Sequence, residues 1–172
     1  ENSIKGKFVY ARPNFAYTDN SLFTSVEATT DDLLTDFGYK VSKTGFSLGT
    51  EFEQYENLSF RPEVSIFFED LETNSTASSQ LRKQEGSYQD FYINYGVNYD
   101  LRNSRYNPSS GHNIYFNQEL PIVSDNNEIA NTFIITKYKN LSERSGMIGK
   151  ASLYLKSINS LDGSDVRISK RG

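Results

Sequence analysis

Residues Gly86–Leu101 read GSYQDFYINYGVNYDL, and apolar and polar side chains alternate along them. Successive side chains of a strand point to opposite faces of its sheet, so this spacing predicts a strand with one apolar and one polar face. The apolar face carries Phe91, Ile93, Tyr95, Val97, Tyr99 and Leu101, and the polar face carries Asp90, Tyr92, Asn94, Gly96, Asn98 and Asp100. In a soluble sandwich the apolar face meets a second sheet, whereas in an outer-membrane barrel it meets lipid and the polar face lines the lumen. The function depends on which arrangement is true.

Seven other segments share this alternation and are predicted to be strands. Their bounds are about Ile4–Asn14, Leu22–Thr30, Tyr39–Gln54, Leu58–Glu72, His112–Ile122, Glu128–Leu141 and Met147–Ile158. The sequence leaves the facing of Glu128–Leu141 ambiguous. Asp31–Asp36 is expected to be an acidic loop, and Thr73–Glu85, which is small, polar and without an apolar period, a long mobile loop.

Two details constrain these strands. Pro62 falls inside the fourth strand and predicts a bulge or a locally broken ladder there, or else a strand that begins later than Leu58, because proline has no amide hydrogen to donate. Lys150 and Lys156 share the polar face of the eighth strand. A lysine facing the lipid midplane costs about 2–4 kcal/mol, so in a barrel these lysines must point inward or lie near the rim.

Composition narrows the functional classes. The chain has 172 residues and no cysteine, which excludes disulfide and thiol chemistry. Its net charge of −4 offers no excess of positive charge for a nucleic-acid backbone, so no nucleic-acid partner is expected. The longest uninterrupted apolar run is Phe8–Ala11, far short of the roughly 20 residues of a spanning helix. A spanning strand needs only about 9–11 residues, and alternation hides it from mean hydropathy.

The sequence offers few candidate catalytic residues. His112 has no serine, cysteine or carboxylate neighbour at a spacing typical of a metal or nucleophile site, and it is interpreted as a plain turn residue. Four carboxylates could converge on a lumen as an acid pair, but solvated charges on a polar barrel wall are the favoured interpretation. These are Glu51, Glu53, Glu63 and Glu69. No catalytic, cofactor-binding or metal-ligating residue is therefore predicted.

The segment Tyr99–Phe116, YDLRNSRYNPSSGHNIYF, is more specific. Asp100 and Arg102 close one strand, Pro108 leads a turn and Gly111 opens the next strand, and the pattern resembles the D-x-R-x(5)-P-x-x-G turn of the BamA family. This family consists of bacterial surface antigen barrels that insert proteins into the outer membrane. Proline fixes one torsion and glycine can adopt positive φ, so the turn is expected to be rigid, with an ion pair between Asp100 and Arg102 bracing it.

The resemblance extends over essentially the whole chain. RPNF near the start is similar to a strand ending of the family, and GFSLGTEFEQYENLSFRPEV and QELPIVSDNNEIANTF are similar to two of its hairpins. It implies an all-β fold, in which the chain forms an antiparallel transmembrane barrel segment of about eight strands. These strands would correspond to about the fourth through eleventh strands of a sixteen-stranded barrel. Both termini and the longer loops would then lie on the extracellular side. Residues 1–172 are thus interpreted as a partial outer-membrane barrel domain.

The family also carries periplasmic POTRA domains, a lateral gate and an R-G-F/Y motif on a long extracellular loop, and none of the three is found here. Arg171-Gly172 resembles the last motif, but VRISKRG is interpreted as the approach to that loop. The resemblance implies a Gram-negative outer-membrane location and a parent protein that inserts barrel clients without covalent chemistry. Its partners would be outer-membrane lipid, accessory assembly lipoproteins and unfolded clients. A related secretion transporter, a soluble eight-stranded binding or adhesin sandwich and an outer-membrane hydrolase are the alternatives.

Overall fold

The computed structural model describes residues 2–125, 127–142, 144–163 and 166, and its strands form one antiparallel sheet in sequence order. The strands are β1 (Asn2–Arg12), β2 (Ser21–Leu33), β3 (Tyr39–Tyr55), β4 (Leu58–Thr73), β5 (Gly86–Asp100), β6 (Gly111–Ser124), β7 (Glu128–Ser142) and β8 (Met147–Ser160). A 3₁₀ turn at Phe15–Tyr17 and a one-turn helix, α1 (Ser79–Arg82), lie between strands. No helix in these ranges is long and apolar enough to cross a membrane. The predicted all-β fold of eight strands is confirmed.

The connections fall at two ends of the sheet. We call the end with the β1–β2, β3–β4, β5–β6 and β7–β8 connections the turn end, and the opposite end the loop end. Asn2 pairs with Asp32 and Ser160 pairs with Glu128, so β1 begins and β8 finishes at the loop end. The stretch VRISKRG lies outside the described residues apart from Val166.

The predicted strand bounds agree with the structure to within a few residues, and the largest error concerns β2. This strand continues to Leu33, because Asp31 and Asp32 still pair with β3. The prediction that Asp31–Asp36 is wholly a loop is therefore wrong. Polar residues continue a strand readily when a neighbouring strand pairs with their backbone groups, and the sequence does not reveal that pairing.

The connection between β4 and β5 is more structured than the sequence predicted. The side chain of Ser78 accepts a hydrogen bond from Leu81 N and caps α1. Asn74 ties this connection to the β2–β3 turn, since its amide Nδ2 donates to Leu34 O at 2.8 Å and its backbone N donates to Gly38 O at 2.9 Å. The two connections at the loop end thus support each other.

Pro62 breaks the β3–β4 ladder locally, as predicted. Registered pairs run as far as Gly49↔Glu63 and resume at Phe52↔Phe60 with the same register. Pro62 remains opposite Tyr95 of β5 on the other side of the strand. The strand therefore continues through the proline without a change of facing.

Register also settles the facing of β7. Phe133 lies between Phe116 of β6 and Leu155 of β8, and directly opposed residues share a face. Phe133 and Ile135 therefore lie on the apolar face, the face of Phe91 and Ile93 in β5. The residues that alternate with them, Thr132 and Ile134, lie on the polar face, the face of Asp90 and Tyr92.

Candidate functional site

The apolar face is the exposed face of the sheet. Phe8 is 67% exposed, Phe46 49%, Phe68 51% and Leu155 54%. Burying such a side chain is worth about 1.5–3 kcal/mol, so a contiguous apolar face of this size requires an apolar partner. No second layer covers it among residues 2–125, 127–142, 144–163 and 166. The soluble sandwich is therefore excluded for this part of the chain.

The polar face is the buried face. Tyr92 is 0% exposed, and Asp90 and Glu128 are each 2% exposed. A single sheet can bury side chains this well only if it curves around them, so the polar face lines the inside of the curve. Ser25 Oγ and Ser47 Oγ lie 2.6 Å apart on this face, and a hydrogen bond joins the two hydroxyl groups across β2 and β3. Polar side chains thus pair with one another inside a concave wall.

Aromatic rings on the polar face lie directly against glycines of neighbouring strands. A Cβ atom at Gly49 would lie 2.3 Å from Phe23 Cζ, and one at Gly45 would lie 2.4 Å from Phe67 Cδ1. The guanidinium carbon of Arg61 lies 3.9 Å from the centroid of the Phe23 ring, which is a cation–π contact. The glycines are therefore required because each leaves room for a ring.

The four carboxylates that the sequence singled out all belong to the polar face. They are Glu51, Glu53, Glu63 and Glu69. The register places no two of them directly opposite each other on β3 and β4. Glu51 Oε2 lies 3.9 Å from Arg61 Nη1, and Glu53 Oε1 accepts a hydrogen bond from Asn57 N at 2.8 Å. This arrangement gives charged groups along a wall, and the described residues contain no cluster suited to hold a metal ion.

His112 is the second residue of β6 and not part of the preceding turn, so its assignment as a turn residue is wrong in position. The ring of His112 packs edge-on against Tyr99, with the centroids 6.4 Å apart. This contact gives the histidine a packing role at the turn end.

The turn between β5 and β6 brings Asp100 and Arg102 together. Arg102 Nη2 lies 2.7 Å from Asp100 Oδ2, and Arg102 Nε donates to Asp100 Oδ1 at 2.8 Å, so the pair is bidentate. Asp100 N also donates to Asn57 O at 2.9 Å, which links this turn to the β3–β4 turn. Asp100 therefore forms the ion pair through its side chain and joins two neighbouring turns at the turn end through its backbone amide.

Asn103 and Gly111 complete the turn. Asn103 Oδ1 accepts hydrogen bonds from the amides of Ser109 and Ser110, which directly follow Pro108 in the chain. Gly111 has φ +92°, and a Cβ atom there would lie 2.1 Å from Leu101 O. No other residue type fits that position without a shift of the backbone. The function of the motif formed by Asp100, Arg102, Pro108 and Gly111 stays a prediction.

The electrostatics of this turn favour the ionised carboxylate. Hydrogen bonding to Arg102 holds the pKa of Asp100 below its ordinary value and outweighs the opposing effect of burial. Asp100 is the last residue of a strand of 15 residues. Such a strand is longer than the about 9–11 residues that span a bilayer, so Asp100 lies beyond the spanning part.

Sequence reasoning missed Asn103 and the contacts between rings and glycines. Gly45 and Gly49 lie on the polar face of one strand, and glycine inside a strand often marks a close approach of other atoms. That signal was available. Phe23, which lies against Gly49, comes from another strand, and only the register identifies it as the partner.

A single curved sheet with an apolar outer face and a polar inner face has the architecture of the wall of a transmembrane β-barrel. The model of the Omp85 superfamily domain matches residues 1–171, and the chain belongs to this superfamily. It is thus a member of a family of outer-membrane barrels that act in protein assembly or transport. The resemblance to surface antigen barrels is confirmed.

Among solved structures, the chain is similar to BamA from Haemophilus ducreyi, in a crystal structure lacking POTRA domains 1–3. The TM-score is 0.81 at 20% sequence identity, over 98% of this chain and 35% of that one. The chain therefore spans about a third of the length of the BamA structure. No curated protein matches the sequence.

Proposed function

We propose that this chain is part of an outer-membrane assembly barrel that folds and inserts β-barrel proteins into the outer membrane of a Gram-negative bacterium. The observation that supports it most strongly is that one sheet has an exposed apolar face and a buried polar face. This sheet is similar in fold to BamA over 98% of the chain. The apolar face contacts lipid and the polar face lines the lumen. In this proposal the barrel helps its clients to fold and insert without any covalent chemistry.

In this proposal residues 1–172 are a partial barrel domain, without a POTRA domain in this chain. The strands correspond to about the fourth through eleventh of a sixteen-stranded barrel, and the loop end is extracellular. Two edges of the described sheet, β1 and β8, then pair with further strands, because an unpaired edge cannot persist in lipid. The partners are lipid, unfolded barrel clients and accessory lipoproteins.

The test is reconstitution of the full-length protein in lipid vesicles. A urea-unfolded barrel client is added without nucleotide or cofactor, and its folding is followed by the gel-mobility shift of folded barrels. We expect faster folding than in empty vesicles, with no change when EDTA is added. Unfolded client recovered inside the vesicles would support the secretion alternative, and equal rates with and without the protein would contradict both.

A further inference from the structure

Most lysines in the strands have a partner within the protein. Those that pair with carboxylates or lie over aromatic rings are Lys5, Lys7, Lys40, Lys43 and Lys150. Lys156 also has a partner. Lys137 and Lys139 of β7 differ, because the part of the chain that the structure describes offers them no carboxylate and no ring. Both are exposed, so their ammonium groups are available as donors to a ligand.

The two lysines lie on the apolar face, towards its turn end. Lys137 is registered opposite His112 of β6, and Lys139 follows two residues later on the same side of β7. Side chains two residues apart on one face begin about 7 Å apart, so two flexible lysine chains can reach the same anion. The strands that carry the site, β6 and β7, each have a neighbour on both sides within the described sheet. The site therefore does not depend on either edge of the sheet.

An aromatic residue marks the level of this site. Tyrosines concentrate at the membrane interfaces of barrels, and Tyr99 is the next-to-last residue of β5, at the turn end. Its ring packs against His112. The row of directly opposed residues that contains Tyr99 continues through Ile114 and Ile135. His112 and Lys137 form the next row towards the turn end, so the lysines begin where the apolar side chains of β6 and β7 stop.

The surface offers positive charge next to apolar side chains. The segment Lys137–Lys150 contains four basic residues and one acidic residue. The opposite rim of the same face is different, since Lys40 there is paired with Glu72. A ligand that fits the turn-end surface has an anionic head for the lysines and an apolar tail for Ile114 and Ile135. An anionic phospholipid has this chemistry, and basic side chains near a membrane surface attract it.

We propose that Lys137 and Lys139 form a binding site for the phosphate of an anionic phospholipid in the leaflet at the turn end. The two ammonium groups donate to the phosphate oxygens, and the acyl chains lie along Ile135 and the apolar residues on its loop side. His112 adds an imidazole N–H on the other side of Lys137. This proposal rests on the membrane placement given under Proposed function. An acidic protein surface is the less suitable occupant, since it would place charge against the apolar side chains that border the lysines.

The test compares vesicles of phosphatidylcholine alone with vesicles of phosphatidylcholine and phosphatidylglycerol in equal amounts, at the same chain length. Phosphatidylglycerol has a net negative charge, whereas the choline group balances the phosphate of phosphatidylcholine. The folding equilibrium constant of the full-length protein is measured in both by reversible denaturant unfolding. A lysine near an anionic membrane surface changes such a constant about fivefold. We expect Lys137→Gln and Lys139→Gln each to lower it by about that factor more in the anionic vesicles, and the double variant by about ten- to thirtyfold more.

Lys40→Gln is the matched control. Lys40 faces the same side of the sheet at the opposite rim, but its Nζ already lies 3.9 Å from Glu72 Oε1. The losses caused by Lys40→Gln in the two vesicle types should differ by less than about twofold. The combined variant Lys137→Arg and Lys139→Arg, which keeps both charges, should retain the wild-type preference for anionic vesicles. The single glutamine variants guard against a failure of the double variant to fold.

Three outcomes would overturn the site. Losses for Lys137→Gln and Lys139→Gln that are equal in the two vesicle types would show that they bind no anionic lipid. A lipid-dependent loss of the same size for Lys40→Gln would indicate a general effect of the surface charge of the membrane. A loss that fades on dilution of the protein in lipid, whatever the headgroup, would indicate contact with a second protein.

The same experiment separates this inference from the proposed function. Wild-type protein that inserts into neither vesicle type would contradict the proposed function itself. Insertion into both, without a headgroup dependence of the variants, would contradict only this inference.

Discussion

Substitution of Gly49 by alanine tests whether rings packed on glycines hold the wall together. The new Cβ would lie 2.3 Å from Phe23 Cζ and 2.8 Å from Pro62 O, whereas carbon atoms in contact prefer about 3.5–4.0 Å. The Phe23 ring, only 5% exposed, must move by about 1 Å or more and leave the guanidinium of Arg61. The backbone oxygen of Pro62 cannot move as cheaply as a side chain.

The magnitude follows from three contributions. Overpacking costs about 1–3 kcal/mol, and a weakened cation–π contact at a half-exposed arginine costs about 0.5–1 kcal/mol. Alanine recovers about 0.5–1 kcal/mol relative to glycine in a strand. We therefore expect Gly49→Ala to lower the free energy of unfolding by about 2 kcal/mol. Gly6→Ala is the control, because its Cβ would meet only Ala28 O at 3.9 Å.

The assay is reversible denaturant unfolding of the full-length protein in vesicles, extrapolated linearly to zero denaturant. Gly6→Ala should be neutral or slightly stabilising. Phe23→Ala should be less costly in the Gly49→Ala background than alone, by about 1–2 kcal/mol, since it removes the clash. The reasoning fails if the two glycine variants differ by less than about 1 kcal/mol, or if the double variant is additive.

Three other predictions concern the ends of the sheet. Asp100→Asn removes the carboxylate of the ion pair and should lower the free energy of unfolding by about 1.5–3 kcal/mol at neutral pH. Because the folded pKa of Asp100 is lowered, this difference is present above the ordinary pKa of aspartate and disappears as the pH falls through the folded value, which an acid series of unfolding curves measures. Gly111→Ala should lower the free energy of unfolding more than Gly146→Ala does, because both glycines have positive φ but only Gly111 faces a backbone oxygen. Equal losses for the two variants in the same unfolding assay would contradict this prediction. In whole cells, an impermeant maleimide should label Thr76→Cys at the loop end and not Tyr106→Cys at the turn end, and the reverse pattern would invert the proposed orientation.

Much of the candidate site could be predicted from the sequence because alternation is a local property. The order of apolar and polar residues in Gly86–Leu101 fixes which side chains share a face, whatever lies beside the strand. The spacing of Asp100 and Arg102 within one turn is equally local, and the structure places the two side chains in contact. The β4–β5 connection resisted prediction because its helix is capped by Ser78 and its position is held by hydrogen bonds to the β2–β3 turn.

The sequence by itself determined the strands, the two faces of most of them and the superfamily resemblance. Only the tertiary structure decided which residues meet across strands, such as Phe23 against Gly49, or Gln118 between Tyr95 and Asn131. It also decided that the apolar face stays exposed while the polar face is buried. The physical reason is register. A strand's facing repeats every two residues and can be read locally, whereas the partner of a residue depends on the length of each connection and on every bulge between the two strands.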